Sequence, residues 1–510
     1  MAHTDELPPG PDLSQGVALA SIPASGVLAG RVGSDAVLIA RLDDGLHAVD
    51  GRCTHYGGPL GEGLVVGDEV RCPWHHACFS LRTGRARKAP AFGTLATWKV
   101  EVVGDQVFVR EKTKMAKPAP TPRTTREHVV IIGGGAAGFA AAERLRELGH
   151  AGTLTMLSAD SDAPYDRPNL SKDYLAGTAP EEWIPLSSAK HYANRKIDVR
   201  TASKVVAIHP DAREVELREG DRIPYDALLL ATGAAPRPLR LPGFDASNVF
   251  MLRSLADARA IIAACANAKS VALIGAGFIG MEAAGALRQR GLDVHVVAPD
   301  AVPLERALGK EVGAFVQSLH AKKGVQFHLG QKPASFDGNT LALESGDRID
   351  VVFVLVGTGV APRTSLAEAA GLNVDEGIVV DKFLQTSAPG IFAAGDVARF
   401  PIGDGHAGVE HARIEHWVHA ERMGQAAAAN ILGAQHAFDD VPYFWTHHQG
   451  VEVRYCGYAG KWDDVRIDGD LQGQDFTARY YRGGKLVAAA SVGRDLENLE
   501  IEESLRDRER

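Results

Sequence analysis

HVVIIGGGAAGFAAAERLRELGH, residues 128–150, is the stretch that decides the fold. Five residues of strand character run into a glycine turn, and beyond it the apolar positions follow a helical period. The turn carries Gly133, Gly135 and Gly138 in the spacing G-x-G-x-x-G, with Ala136 and Ala137 opening the helix. That spacing is weak alone and gains weight between a strand and a helix. Gly133 makes the turn, Gly135 lets the backbone approach a pyrophosphate, and Gly138 allows close packing of the helix. The free N–H groups at the helix start favour an anion there. The same unit recurs at SVALIGAGFIGMEAAGALRQRGL, residues 270–292, where Gly275, Gly277 and Gly280 surround Phe278 and Ile279. The two turns lie 275 − 133 = 142 residues apart, an internal repeat of one supersecondary unit.

Two such turns imply two dinucleotides, and a tightly held flavin with an exchangeable nicotinamide is one chemically economical pair. At the first, the acid for a ribose is expected where the next strand, LTMLSAD, ends at Asp160, although a surface aspartate is the plain alternative. At the second, strand DVHVV leads to Ala298 and Asp300, with no arginine nearer than Arg306 to take a 2′-phosphate, so NADH is expected over NADPH.

Outward to the N-terminus, residues 14–111 read as a small β domain of short alternating runs between Gly and Asp turns. The following KTKMAKPAPTPRTTR, residues 112–126, is Pro- and Lys-rich without apolar period and reads as a linker. Its cations Lys112, Lys114, Lys117, Arg123 and Arg126 suit a solvated linker, or a docking strip for an acidic partner. Inside the β domain stand Cys53-Thr54-His55 and, sixteen residues on, Cys72-Pro73-Trp74-His75. Two Cys and two His also make a zinc set. Here each arm carries one of each, which suits a binuclear cluster with two thiolates on one iron and two imidazoles on the other.

At this point a resemblance is plain. CTHYGGPLGEG and CPWHHACFSLRTG look like the two cluster loops of Rieske ferredoxins, which makes Cys53, His55, Cys72 and His75 the ligands of one [2Fe–2S] cluster. The extra loop cysteines of high-potential members are replaced by Gly58 and Trp74, so their disulfide is absent. His76 and Ala77 stand where Gly and Ser are usual; losing a donor to sulfur predicts a potential at the low end of the range, about −150 mV. Cys78 and His76 read as structural neighbours rather than ligands.

PYDRPNLSK, YDALLLATGAAPRPL, GIFAAGDVARF and RIEHWVHA resemble motifs of the FAD-dependent ferredoxin reductases and the apoptosis-inducing-factor family, over roughly residues 127–450. The resemblance puts Arg167 and Lys172 at the flavin, Ala231-Thr232-Gly233 along its phosphates and Asp396, after Gly395, on a ribityl hydroxyl. Glu415, His416 and Trp417 would lie near the isoalloxazine ring, Glu282 near the nicotinamide, and Gly357 in the second nucleotide site. Glu282, Lys172 and Trp417 are the expected catalytic groups. Taken singly, Arg167 and Lys172 could be solvated charges and Trp417 core. Trp445 resembles a flavin-side aromatic, with core packing as its equal alternative. His447 and His448 have no partner at metal spacing.

The expected architecture is multidomain. An all-β Rieske domain (14–111) and linker (112–126) precede two Rossmann-like α/β domains, for FAD (127–253 and 380–435) and NAD(P) (254–379). A small α+β interface-like domain (436–510), which makes a homodimer possible, follows. A net charge of −9 argues against nucleic acid as the main partner. No run of about 18 apolar residues offers a membrane span, and the acidic start does not read as a secretory signal. Five sparse cysteines suit a reducing cytoplasm rather than a disulfide framework. No CxxC occurs, and none of the five lies between Cys78 and Cys265, which excludes a dithiol flavoenzyme mechanism. The expected route is NAD(P)H to FAD to cluster to an external protein or small-molecule acceptor. It leaves by an exposed edge of His55 or His75. A reductase of a separate ferredoxin and an NADH-sensing interaction protein are the competing readings.

Overall fold

The structure, a computed structural model, describes residues 7–113, 126–402 and 410–507. The N-terminal domain pairs a six-stranded antiparallel sheet with a four-stranded one. Strand Asp35–Leu42 is buried on both faces: Val37 and Ile39 enter one core with Leu13, Trp98 and Val107, while Leu38 and Ala40 enter the other with Cys53, Cys72 and Phe79. Both edges of this domain differ from the expected 14–111. Leu13 is fully buried in the first core, and Lys112 belongs to strand Gln106–Thr113, opposite Trp98 after a bulge. Lys112 is therefore not a linker cation: its ammonium stands 3.1 Å from Asp35 and over the Trp98 ring. Arg126 likewise is tied to the α/β body, donating to the Ile431 carbonyl. The rest of the expected linker, residues 114–125, lies outside the described residues.

Strand His128–Ile132 is the centre of a parallel sheet in the order 198–200, 153–157, 128–132, 227–230, 391–393. Helix α1, Ala136–Glu147, leaves its glycine turn. Strand Ser270–Ile274 is the centre of a second parallel sheet, in the order 249–251, 353–356, 270–274, 293–298, 326–329. Helix α2, Phe278–Gln289, leaves that turn, and α3, Glu305–Lys322, covers the same sheet. The expected boundary at 253 shifts, because Val249–Met251 hydrogen-bonds to Phe353–Val356 and so belongs to the second sheet.

Helix α4, Trp417–Ile431, is buried along most of its length. It packs on α1 so closely that a Cβ at Gly424 would lie 2.1 Å from the Ala137 carbonyl oxygen. The C-terminal unit is a five-stranded antiparallel sheet in the order 443–448, 451–457, 485–492, 475–482, 464–470, with helix α5, Asp495–Asp507, against it. Its start is later than the expected 436, since Phe438 packs into the core of the first α/β domain. Among the described residues no helix is long and apolar enough to cross a membrane.

Candidate redox site

The two Cys-His arms fold as near copies. Cys53 N–H bonds to the Gly58 carbonyl and Gly57 N–H to that of Cys53; Cys72 N–H bonds to Ala77 and His76 N–H to Cys72 in the same way. The fifth residue of each loop is left-handed: Gly57 has φ +77° and His76 φ +59°, although only glycine takes that conformation without cost. Backbone N–H groups of His55 and Tyr56 face the Cys53 sulfur, and those of Trp74 and His75 face the Cys72 sulfur. The thiols of Cys53 and Cys72 face each other, and the Nδ1 atoms of His55 and His75 stand 3.2 Å apart. Burial pushes His55 down to about 4 and His75 well below its usual range, which keeps both imidazoles neutral as metal ligation requires. The donors thus form one thiol pair and one imidazole pair. Two donors of one kind for each of two irons is the pattern of a binuclear cluster rather than of zinc. A Cβ on Gly58 would meet Trp74 at 3.2 Å, so the two positions that hold cysteines in high-potential proteins are in contact here without sulfur.

His76 and Cys78, beside the second arm, are both buried. His76 is fully buried, stacks on Tyr443 with 3.8 Å between centroids, and donates to Glu502 of α5. Arg422 of α4 bonds to Glu502 at 2.9 Å and to the His76 carbonyl at 2.9 Å. Burial would raise the Glu502 carboxyl, but Arg422 and His76 outweigh it and hold it well below the usual carboxylate range. Lys88 pairs with Asp440, Arg71 with Glu503, and the Trp74 carbonyl accepts from Tyr443 and Arg454. The cluster domain is docked through these buried polar contacts.

A cleft of about 1110 Å³ opens beside them, lined by 133–137, Asp160, Arg167, Lys172, 231–233, Phe278, Ile279, Glu282, 395–396, 415–417 and Trp445. The residues singled out around the first glycine turn therefore share one cavity, except Gly138, which packs against the Gly133 carbonyl instead. It fits a dinucleotide. A Cβ at Gly133 would sit 2.1 Å from the Ala231 carbonyl oxygen, and the first turn of α1 has no side-chain cap, leaving its N–H groups free for phosphate. Arg167 is half-buried beside Gly135, its buried Nε without a partner among the described residues, and desolvation lowers its pKa. Such a guanidinium suits a pyrophosphate. Asp160 accepts from Tyr165 at 2.6 Å, and Asp396 from Arg253 at 2.7 Å. Burial raises the Glu415 carboxyl and pushes His416 down to about 4. His416 stacks on Phe444 with 4.0 Å between centroids.

Gly275, Gly277, Gly280 and Gly357 do not line this cavity, although Phe278, Ile279 and Glu282 do. A Cβ at Gly275 would meet the Gly357 carbonyl oxygen at 2.4 Å, and one at Gly280 the Gly275 carbonyl oxygen at 2.4 Å. The N-terminus of α2 is again uncapped. Arg306 is engaged by Asp300 at 3.0 Å. Glu282, one turn into α2, accepts from Lys172 at 2.8 Å, Ser171 at 2.6 Å and Thr446 at 2.7 Å.

Trp445 joins the two sites. It lines the cavity, sits 5.9 Å below the Lys172 ammonium, and packs against His75 with 4.3 Å between ring centroids. His75, expected as a possible exposed exit edge, is instead only 7% exposed and faces Trp445 of the cavity wall; His55 is half-buried and Tyr56, beside it, is exposed. Sequence reading missed Arg253, Thr446, Phe444 and the Tyr56–Asp166 hydrogen bond. No local signal marks them, because their partners lie far along the chain.

Family models for three domains match. That for pyridine nucleotide-disulphide oxidoreductase covers residues 127–424, that for the Rieske [2Fe-2S] domain 18–99 and that for reductase C-terminal 443–508. Apoptosis-inducing factor 3 of Homo sapiens is 33% identical over 484 residues, 91% of this chain and 79% of that protein. The anthranilate 1,2-dioxygenase system ferredoxin–NAD(+) reductase component of Burkholderia cepacia is 38% identical over 72% of this chain and 91% of its own. Among solved structures, the covalent putidaredoxin reductase–putidaredoxin complex superposes with a TM-score of 0.72 at 32% identity, over 75% of this chain and 93% of that one. The chain belongs to the FAD-dependent pyridine nucleotide oxidoreductases, in the group of the ferredoxin reductases and apoptosis-inducing factor 3, and carries a Rieske [2Fe–2S] domain ahead of the reductase.

Proposed function

We propose that this NAD(P)H-dependent flavoprotein passes electrons from nicotinamide through FAD to its own [2Fe–2S] cluster, and from there to an external acceptor. The observation that carries the proposal is Trp445, one indole that lines the flavin cavity and touches cluster-loop His75. When bound, FAD takes two electrons together from a nicotinamide and yields them one at a time, as a [2Fe–2S] centre requires.

The chain's residues hold and orient. Gly133, Gly135, Ala136, Ala137 and Gly138 with Arg167 would hold the FAD pyrophosphate; Asp160 would hold a ribose and Asp396 a ribityl hydroxyl. Ala231, Thr232 and Gly233 would lie along its phosphates, while Glu415, His416 and Trp417 would lie near its ring. The second turn, Gly275 to Gly280 with Gly357, would take the nicotinamide cofactor. NADH is favoured, because no arginine follows the second strand before Arg306 to take a 2′-phosphate. The Lys172–Glu282 pair would meet the reacting groups. Cys53, His55, Cys72 and His75 would hold the cluster.

Electrons would leave on the His55–Tyr56 side, since Trp445 closes His75. A separate ferredoxin, as in the putidaredoxin reductase–putidaredoxin complex, is less well supported as acceptor at the flavin, because the fused domain packs against the aromatic that borders the cavity. The free cysteines suit a reducing compartment such as the cytoplasm.

Anaerobic titration with NADH, following flavin absorbance and the EPR signal of the reduced cluster together, tests this. Flavin bleaching followed by growth of a Rieske-type signal is the expected result. Bleaching with an intact but oxidised cluster would refute it.

A further inference from the structure

The two cluster arms are tied to the rest of the chain by different elements. The second arm is held by α4, α5 and the C-terminal sheet: His76 bonds to Glu502 and Arg422, and the Trp74 carbonyl accepts from Tyr443 and Arg454. In the first arm, Thr54 donates to the Gly93 carbonyl and Arg52 to the Gly57 carbonyl, both inside the cluster domain. This arm reaches the α/β body through Tyr56, whose hydroxyl donates to the carboxylate of Asp166, 110 residues on.

Asp166 is itself held in place. Its N–H bonds to the Ile184 carbonyl at 2.8 Å, and the hydroxyl of its neighbour Tyr165 bonds to Asp160 at 2.6 Å. Asn169 faces both the Tyr56 hydroxyl and the Asp166 carboxylate. Asp166 precedes Arg167, which lines the flavin cavity, and lies in the same short segment as Lys172, which bonds to Glu282. One segment, residues 165–172, therefore lines the flavin cavity and holds the first cluster arm.

Tyr56 in turn lies against both candidate imidazole ligands. Its ring centroid is 4.0 Å from that of His55 and 5.7 Å from that of His75. His75 has a further wall in Trp445, at 4.3 Å. Among the described residues, the rings that contact His55 are those of Tyr56 and His75. Tyr56 is 37% exposed, so without the bond to Asp166 its ring would be free to swing towards solvent and leave His55 unsupported. The orientation of an imidazole ligand is set by the groups that touch it beyond the metal.

We infer that Tyr56, anchored by Asp166, is a positioning residue that fixes the orientation of His55 from the segment lining the flavin cavity. Tyr56 acts through His55. The inference rests on His55 and His75 as the imidazole ligands of the cluster, and it is independent of the direction of electron flow.

The test uses the full-length holoprotein, reduced with dithionite. Pulsed EPR reads the couplings of the two imidazole nitrogens, beside iron and flavin content per chain. Tyr56→Phe, which removes one oxygen and keeps the ring, should shift one nitrogen coupling and leave the other at its parent value. Asp166→Ala should give the same shift. Asp166→Asn keeps an oxygen that accepts from the hydroxyl, and should return the parent spectrum. The two Asp166 variants decide the point by themselves where Tyr56→Phe fails to hold iron. A tie that only stabilised docking would lower the urea midpoint of Tyr56→Phe with both couplings unchanged, and that result would overturn the inference. So would an equal shift in Asp166→Asn and Asp166→Ala, since the bond would then not be the cause. A parent spectrum without two imidazole nitrogens would instead overturn the ligand assignment beneath it.

Discussion

The imidazole of His75 lies against the indole of Trp445, 4.3 Å between ring centroids and inclined by 50°. One ring is a candidate cluster ligand and the other is wall of the flavin cavity, so this contact spans the distance between the two redox sites. Trp445→Ala should slow cluster reduction severalfold or more while NADH bleaches the flavin at the parent rate. Trp445→Phe should fall between. Stopped-flow flavin absorbance beside freeze-quench EPR separates the two steps, and equal slowing of both would contradict the assignment.

Docking of the cluster domain depends on Arg422 and Glu502, both nearly inaccessible. Removing one member of a buried pair leaves an uncompensated charge, at a cost of about 3–5 kcal/mol. Arg422→Met should lower the urea midpoint and expose the interface to limited proteolysis. NADH–ferricyanide activity taken directly from the flavin should survive better than cluster reduction does.

Acid should destabilise the fold well before its carboxylates titrate. Burial pushes His419 down to about 3, and among the described residues neither of its ring nitrogens has a hydrogen-bond partner. An unfolded imidazole takes its proton near 6.5, so between there and about pH 3 the unfolded chain binds more protons. Stability therefore falls as pH is lowered through that window, by on the order of 5 kcal/mol for this residue. His419 packs between Phe400 and Phe438, and His419→Phe should flatten the slope of urea midpoint against pH.

A second acid limb comes from Asp440. Burial would raise its carboxyl, but Lys88, Arg422 and Arg506 outweigh it and pull it down to about 2 from an ordinary 3.8. Its stabilisation is complete above about 3.8 and is lost as pH falls through about 2. Asp440→Asn should remove that limb in the same pH series, and weaken docking through Lys88 at neutral pH.

Gly133 has φ +118°, and a Cβ there would stand 2.1 Å from the Ala231 carbonyl oxygen. Gly133→Ala should yield protein that retains its iron and has lost most of its flavin, read as flavin absorbance per chain beside iron content. Full flavin occupancy would remove this turn from the flavin site.

The order of domains was legible in the chain because it rests on local patterns. The strands before Gly133 and Gly275, the helices after them, and the paired Cys-x-His and Cys-x-x-His arms are read within a few residues. Each pattern names its own chemistry, phosphate at a helix start and iron between thiolates and imidazoles. Boundaries were less legible. Val249–Met251 joins the second sheet through partners about a hundred residues away, and Leu13 is buried by strands that follow it.

The sequence by itself determined which groups this protein can hold, since cofactor loops are short and each spacing has few physical solutions. Only the tertiary structure decided how those groups face one another. Trp445 meets His75, Arg422 meets Glu502 and Thr446 meets Glu282 across 80 to 370 residues of chain. Nothing in local propensity encodes such meetings. They follow from how buried faces pack and from the need to satisfy each buried charge, which is settled only when the whole chain has folded.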